Sequence, residues 1–472
     1  MKTGTVAIGW ASGEITPLKK TLVLGQFHTR ISDKVVSPLM ATVWAVEVTD
    51  DAGEVEQAVF ISCDLCSEGF KPDLLKALQG RCAGLDLTKL IVNATHTHNA
   101  PCLSSGWYDE PENDPDFMRP DEYRVWLADR VADLVETAWN ARQLGGVSRG
   151  FGYAMVGRSR RATYADGSAR MYGPTDNVGF RGFEACDDHA INMLFTHNPS
   201  GTLTGIVVSV ACPAQTEEHG EYFSSDYWHL VREGIAARYG RDVKVLALCA
   251  PAGDMSPHPQ ADKKEESELR QRLGVELKGL IARRILATVE EGLATASAIE
   301  TRLALAHNVF SWQLPRLRVT PEAYALEKRI PFMSDEERGK QHYAFQRLWP
   351  FGPVCELISR YENQDAQPNH IVESHVIRLG DVAIATNPFE LFVDYSMRIR
   401  CRSHAQQTFL VQLADGGSNG FYLPTQRALD GGHYSAQIKS CWVGPEGGDK
   451  LVENTVDAIN ALFSTEDGAK AK

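Results

Sequence analysis

Short apolar runs and stretches of helical period alternate along the whole chain. Apolar segments occur at Val6 to Trp10, Ala41 to Val48, Ala58 to Cys63 and Leu90 to Ala94. Each is of strand length and rich in β-branched or aromatic residues. A helix around Pro72 to Gln79 separates the last two, which predicts a strand–helix–strand crossover and a parallel pair. Tyr123, Leu127, Val131, Leu134, Val135 and Ala138 then recur every three or four positions, the stripe of a helix that Asp121 can cap. Strands are expected at Val147 to Val156, His189 to Thr196, Leu203 to Ala211 and Val243 to Cys249, with a helix from Tyr227 to Tyr239. Leu269, Leu273, Leu277, Leu280, Ile281 and Val289 predict one long helix from about Glu265 to Leu293. A strand near Leu303 to Trp312 and a charged helical excursion at about 320–350, from Pro321 to about Leu348, follow. Strands at His375 to Leu379, Val382 to Thr386 and Thr408 to Leu413 and a helix after Pro445 complete the pattern. No linker or repeat interrupts it. The expected architecture is α/β, a single large domain over residues 1–472 with mixed β-sheets flanked by helices.

Composition narrows the function. Of 472 residues, 43% are hydrophobic and 23% charged, an ordinary globular balance. The net charge of −13 disfavours nucleic acid, and no basic run with interleaved aromatics offsets it. No run of roughly 18 apolar residues predicts membrane insertion, and the N-terminus lacks an apolar leader. The expected setting is cytoplasmic, with a small-molecule substrate as partner and homo-oligomerisation left open. Ten cysteines lie scattered without framework spacing, as reduced, buried residues do; the Cys63–Cys66 pair reads as structural.

Candidate chemistry gathers at strand ends. Ile91 to Pro101 reads I-V-N-A-T-H-T-H-N-A-P; on an extended backbone His96 and His98 share a face, as metal or acid/base groups or as polar capping residues. Cys212 directly follows an apolar strand, as a packing residue unless ligands converge on it. The loop A-G-D-M-S-P-H holds Asp254, Ser256 and His258, either an oxyanion turn or an Asx turn. In A-T-N-P-F-E, Asn387 can cap a helix with Pro388 at its first position, putting Glu390 in the first turn, where the dipole favours the carboxylate. Tyr422 and Tyr434 lie in glycine-rich loops. Arg158, Arg160 and Arg161 form a basic cluster, suited to a carboxylate or hydroxyl-rich substrate or to solvent.

These motifs appear in a recognisable order: G-x-A-S-G-E-I-T-P, T-H-T-H-x-x-P, G-D-x-S-P, a strand-then-Glu segment, and Y-x-P-T with a second tyrosine twelve positions on. Across essentially the whole chain the sequence resembles the N-terminal catalytic domain of neutral (non-lysosomal) ceramidases. The resemblance implies one catalytic Zn2+, with His96, Glu390 and Tyr422 as ligands and His98 meeting the substrate. It implies catalytic roles for the Asp254–Ser256 motif and Tyr434, and an active-site arginine at Arg158 or Arg160. One position departs: the family's second histidine ligand matches Cys212. A thiolate ligates zinc at about 2.3 Å, or His219 stands in. The family's immunoglobulin-like C-terminal domain and export signal have no counterpart, which directs the expectation from ceramide to a small polar amide. The expected function is therefore a zinc-dependent hydrolase of an amide or ester bond. Two alternatives stay open: a metal-independent hydrolase with Cys212 as nucleophile, and a non-catalytic binding protein of the same fold.

Overall fold

Strand residues in the first hundred positions divide by parity. In the Met40–Asp50 strand, Ala41, Val43 and Ala45 pack against the helices Lys71–Ala77 and Pro120–Asn140, while Trp44, Val46 and Val48 face the other way into a second core. The neighbouring Val55–Cys63 strand does the same, with Val59, Ile61 and Cys63 on one side and Ala58 and Phe60 on the other. A strand covered on both faces needs apolar residues at both parities, which is why these segments read as continuous apolar runs.

The computed structural model describes residues 2–334, 336–337, 352–415 and 421–464. Among them a nine-stranded sheet runs Gln407–Val411, Val382–Thr386, Asn369–Leu379, Arg302–Pro315, Lys2–Glu14, Met40–Asp50, Val55–Cys63 and Leu90–Ala94, with Gln143–Leu144 beside Lys2–Glu14. A four-stranded sheet runs Lys244–Cys249, Leu203–Val210, Ala190–His197 and Gly146–Tyr153. The two sheets pack face to face through Trp44, Phe60, Leu194, Val207 and Leu246. Helices Tyr227–Tyr239 and Leu277–Ala294 cover the smaller sheet, and Val393–Arg402 and Pro445–Phe463 cover the remaining part of the larger one. The result is a four-layer helix–sheet–sheet–helix arrangement, a mixed α/β fold.

Most pairings are antiparallel. Within these two sheets the parallel pairs are Val55–Cys63 with Leu90–Ala94, Val382–Thr386 with Gln407–Val411, and Leu203–Val210 with Lys244–Cys249. Loops leaving the C-terminal ends of the first two pairs carry His96, His98, Glu390 and Tyr422, and those of the third carry Cys212, Asp254 and Ser256, as open sheets commonly arrange. A bridge between Asn93 and Ala414 ties the ends of the first two pairs together.

Several local expectations change. Arg119, not Asp121, is the N-cap of the Pro120–Asn140 helix, because Pro120 takes its first turn. The long helix divides into Lys263–Leu273 and Leu277–Ala294 at Gly274, whose φ of 62° closes the first segment. Asn387 caps no helix: its Oδ1 accepts from Phe389 N at 3.1 Å in an Asx turn, and the helix begins only at Val393. Glu390 instead starts the short strand Glu390–Leu391, parallel to Tyr422–Leu423. The charged excursion begins as the helix Pro321–Arg329, and much of its remainder lies outside the described residues. No described helix is long and apolar enough to cross a membrane.

Candidate functional site

The strand before the histidine pair stops at Ala94, and His96 takes a φ of 61°. Alternation along an extended strand therefore does not aim this pair; a left-handed turn does. The rings meet edge to face at 4.9 Å, with the two Nε2 atoms 3.4 Å apart. Glu390 Oε2 lies 3.4 Å from His96 Nε2 on the same side. The opposite nitrogen, Nδ1, is 2.6 Å from the carbonyl of Cys66, so the ring is oriented by a backbone acceptor as in many metal-binding histidines.

These groups, with Tyr422 and Tyr434, line a cavity of about 440 Å³, walled by Phe27, Trp107, Tyr108 and Phe421 and edged by Glu68, Lys71 and Asp415. The residues expected as ligands have the donor chemistry of a zinc-type site. Imidazole, carboxylate and phenolate are N/O donors, and a tetrahedron of ~2.0–2.1 Å bonds has edges of about 3.4 Å, the spacing of His96 Nε2 from Glu390 Oε2. Burial pulls the His96 imidazole down, but the Cys66 thiol and the Glu390 carboxylate outweigh it and hold it well above its ordinary value. Surroundings that favour a proton on that nitrogen also favour a metal ion, and the two compete. Burial, then the charges of His96, Arg160 and Arg30, push His98 well below its ordinary value. Burial pushes both Tyr422 and Tyr434 up.

Of the two candidate arginines, Arg160 reaches this group. Its Nη2 donates to Tyr422 OH at 3.4 Å and to Gly253 O at 2.8 Å, and lies 4.0 Å from Glu390 Oε2, while Nη1 donates to Tyr172 OH at 2.9 Å. Arg158 pairs with Glu266 and donates to Pro257 O, away from the cavity. Arg161 is wholly buried against Glu184 and braces the segment on both sides of Tyr434 through Ala428 O, Gly432 O and Ser435 Oγ.

The G-D-x-S-P loop stands behind the site and does not line the cavity. Asp254 Oδ1 accepts from Val393 N at 2.9 Å, capping the helix that follows Glu390. Burial raises this carboxyl to about 7. Ser256 is fully buried, its backbone paired with Arg158 and its Oγ accepting from His258 N at 3.1 Å. Gly253 has a steric reason: a Cβ there would overlap the Glu390 carbonyl. The loop thus positions the glutamate segment, and the seryl hydroxyl faces no substrate space.

Cys212 belongs to the apolar core beneath the smaller sheet, with its thiol pushed well above the ordinary value by burial. It does not line the cavity, and His219, whose side chain is 82% exposed, does not either. The thiol beside His96 is that of Cys66, with Sγ 3.8 Å from Nδ1. In the sequence the Cys63–Cys66 pair reads as structural, and only its place just past a strand of the parallel pair marks Cys66. Arg30 was missed as well: fully buried, it donates to Leu24 O, His98 O, Glu218 O and Gly220 O. A second group with metal-ligating side chains, Glu373, His375 and Asp415, already holds a cation. Lys71 Nζ donates to Glu373 at 2.6 Å, Asp415 at 2.7 Å and Leu90 O at 2.8 Å, using all three of its protons.

No protein-family model matches this sequence, and no curated protein matches it. Solved structures do match. Neutral ceramidase from Pseudomonas aeruginosa superposes with a TM-score of 0.67 at 16% identity, over 98% of this chain and 75% of that one. A ceramidase complexed with C2 superposes with a TM-score of 0.66 at 15% identity and the same coverage. The four-layer arrangement described above is thus the neutral ceramidase fold, carried by a divergent sequence.

Proposed function

We propose that this chain is a metal-dependent hydrolase, with zinc as cofactor, that cleaves an amide or ester bond of a small molecule. The observation that carries this reading is that His98 Nε2 and Glu390 Oε2 each lie 3.4 Å from His96 Nε2, with all three residues lining the cavity. His96, Glu390 and Tyr422 would hold the ion. When bound, zinc supplies an activated water at neutral pH and polarises the scissile carbonyl. His98, kept neutral, can accept a proton at a ring nitrogen. Tyr434, kept protonated, can donate its O–H to the developing oxyanion. Arg160 holds Tyr422 and the Glu390 segment in place from behind.

A volume of about 440 Å³ suits a molecule of drug size. The aromatic walls favour an apolar or planar group and the charged edge a polar one, so the proposed substrate is a small polar amide with one apolar portion rather than a long-chain lipid. The burial of Cys212 outside the cavity weighs against a metal-independent thiol route through that residue.

The test is metal analysis of the purified protein joined to a panel of small N-acyl amides and esters. Turnover should vanish on chelation, return with zinc and be lost in H96A and E390Q. Full turnover in metal-free protein would overturn the metal reading. A zinc-loaded protein inert across the panel would make it a binding protein of this fold.

A further inference from the structure

We infer that Cys66, rather than Cys212, is the thiolate ligand of the metal held at His96; this rests on the metal-dependent reading above. Cys66 Sγ, one nitrogen of His96 and one of His98 lie within 4.8 Å of one another, and all three residues line the cavity. A tetrahedral site with Zn–S near 2.3 Å and Zn–N near 2.0–2.1 Å has S–N edges of about 3.6 Å. Sγ itself lies 3.8 Å from Nδ1, the nitrogen that the Cys66 carbonyl holds, so ligation of an ion at Nε2 requires χ1 of Cys66 to turn the sulfur past the ring edge towards His98.

Position in the fold supports the same assignment. Cys66 follows the Val55–Cys63 strand and His96 follows its parallel partner Leu90–Ala94, so adjacent strand ends deliver thiol and imidazole to one place. The Cys66 carbonyl also fixes the His96 ring at 2.6 Å, so one residue orients the imidazole and supplies a sulfur beside it. Cys212 leaves the smaller sheet instead, its sulfur 3.5 Å from the carbonyl of Pro213 and its own carbonyl accepting from Tyr227 OH at 2.7 Å. On binding, the Cys66 thiol releases its proton to solvent as the metal–sulfur bond forms.

Cobalt(II) tests this without reference to turnover, because a thiolate ligand produces sulfur-to-cobalt charge-transfer absorption in the near ultraviolet. The 472-residue chain, stripped with chelator and titrated with cobalt, should develop that band, saturating at one ion per chain. C66S should lose the band and bind cobalt at least about tenfold more weakly, the lower end for loss of even an outer-shell partner. C212S should keep both band and affinity. Stoichiometric cobalt without the band, a band that survives in C66S, or a band lost in C212S overturns the assignment while leaving the metal-dependent reading intact. Failure of the wild-type chain to bind cobalt overturns both. If C66S does not fold, the same titration decides with C212S and with C102S, which removes the other thiol lining the cavity: both must keep the band, and its loss in either overturns the assignment.

Discussion

Backbone strain gathers around the cavity. His96, Leu413, Asp415 and Phe421 take φ values of 61°, 53°, 60° and 46°, and all four line it. Such conformations cost energy at non-glycine residues and persist where surrounding contacts impose them. Arg30 is one of those contacts, holding the carbonyl of His98 together with those of Leu24, Glu218 and Gly220. R30M would leave these carbonyls without their donor inside the protein, so we expect a loss of about 3 kcal/mol or more, read from the shift of the urea midpoint at unchanged slope. An unchanged midpoint would show that water replaces the guanidinium without cost.

At the level of elements, the short parallel pair of Glu390–Leu391 and Tyr422–Leu423 puts two expected ligands side by side. Its position depends on Gly253, where the glutamate backbone passes too closely for any side chain. The obstacle to a Cβ is a backbone carbonyl, which cannot swing aside like a flexible side chain. G253A should therefore displace Glu390 and weaken metal binding by about 10–100-fold, the range for lost support of a ligand, measured by competition with a chromophoric chelator. Affinity equal to wild type would show that the pair tolerates the shift. The sequence pattern G-D-x-S-P was legible, but its use was not: a glycine chosen for space and an aspartate chosen as a helix cap resemble a reactive turn until the partner segment is known.

Across the molecule, a chain of polar groups, buried at its two histidines, links both halves of the larger sheet. His307 Nδ1 contacts Gln57 O at 2.9 Å and its Nε2 contacts His375 Nδ1 at 2.8 Å; His375 Nε2 lies 3.1 Å from Glu373, which Lys71 also holds. Burial would raise the Glu373 carboxyl, but His375 and Lys71 outweigh it and bring it from 4.5 to about 2. Burial, then His375, push His307 well below its ordinary 6.5. Both shifts are downward, so both stabilise the fold at higher pH. The His307 contribution starts to be lost as pH falls below about 6.5, and that of Glu373 falls away between about 4.5 and 2. We expect the thermal midpoint to drop steadily with acid, and E373Q to flatten the decline below about pH 4.5. A variant whose curve parallels wild type there would remove Glu373 from the account.

What the sequence by itself determined follows from local pattern. Runs such as A-V-F-I-S-C mark strands buried on both faces, the Tyr123 to Ala138 stripe marks a helix, and the motifs mark His96, His98, Glu390, Tyr422 and Tyr434, which share the cavity. The tertiary structure alone decided which neighbours these residues meet. Arg160 reaches Glu390 and Arg158 does not, although the two are two positions apart. Cys66 stands beside His96 while Cys212 turns into the core. Periodicity encodes the face a side chain takes, because burial is averaged over many positions. The identity of one contact depends on where loops from separate strands cross, and distances along the chain carry no such information.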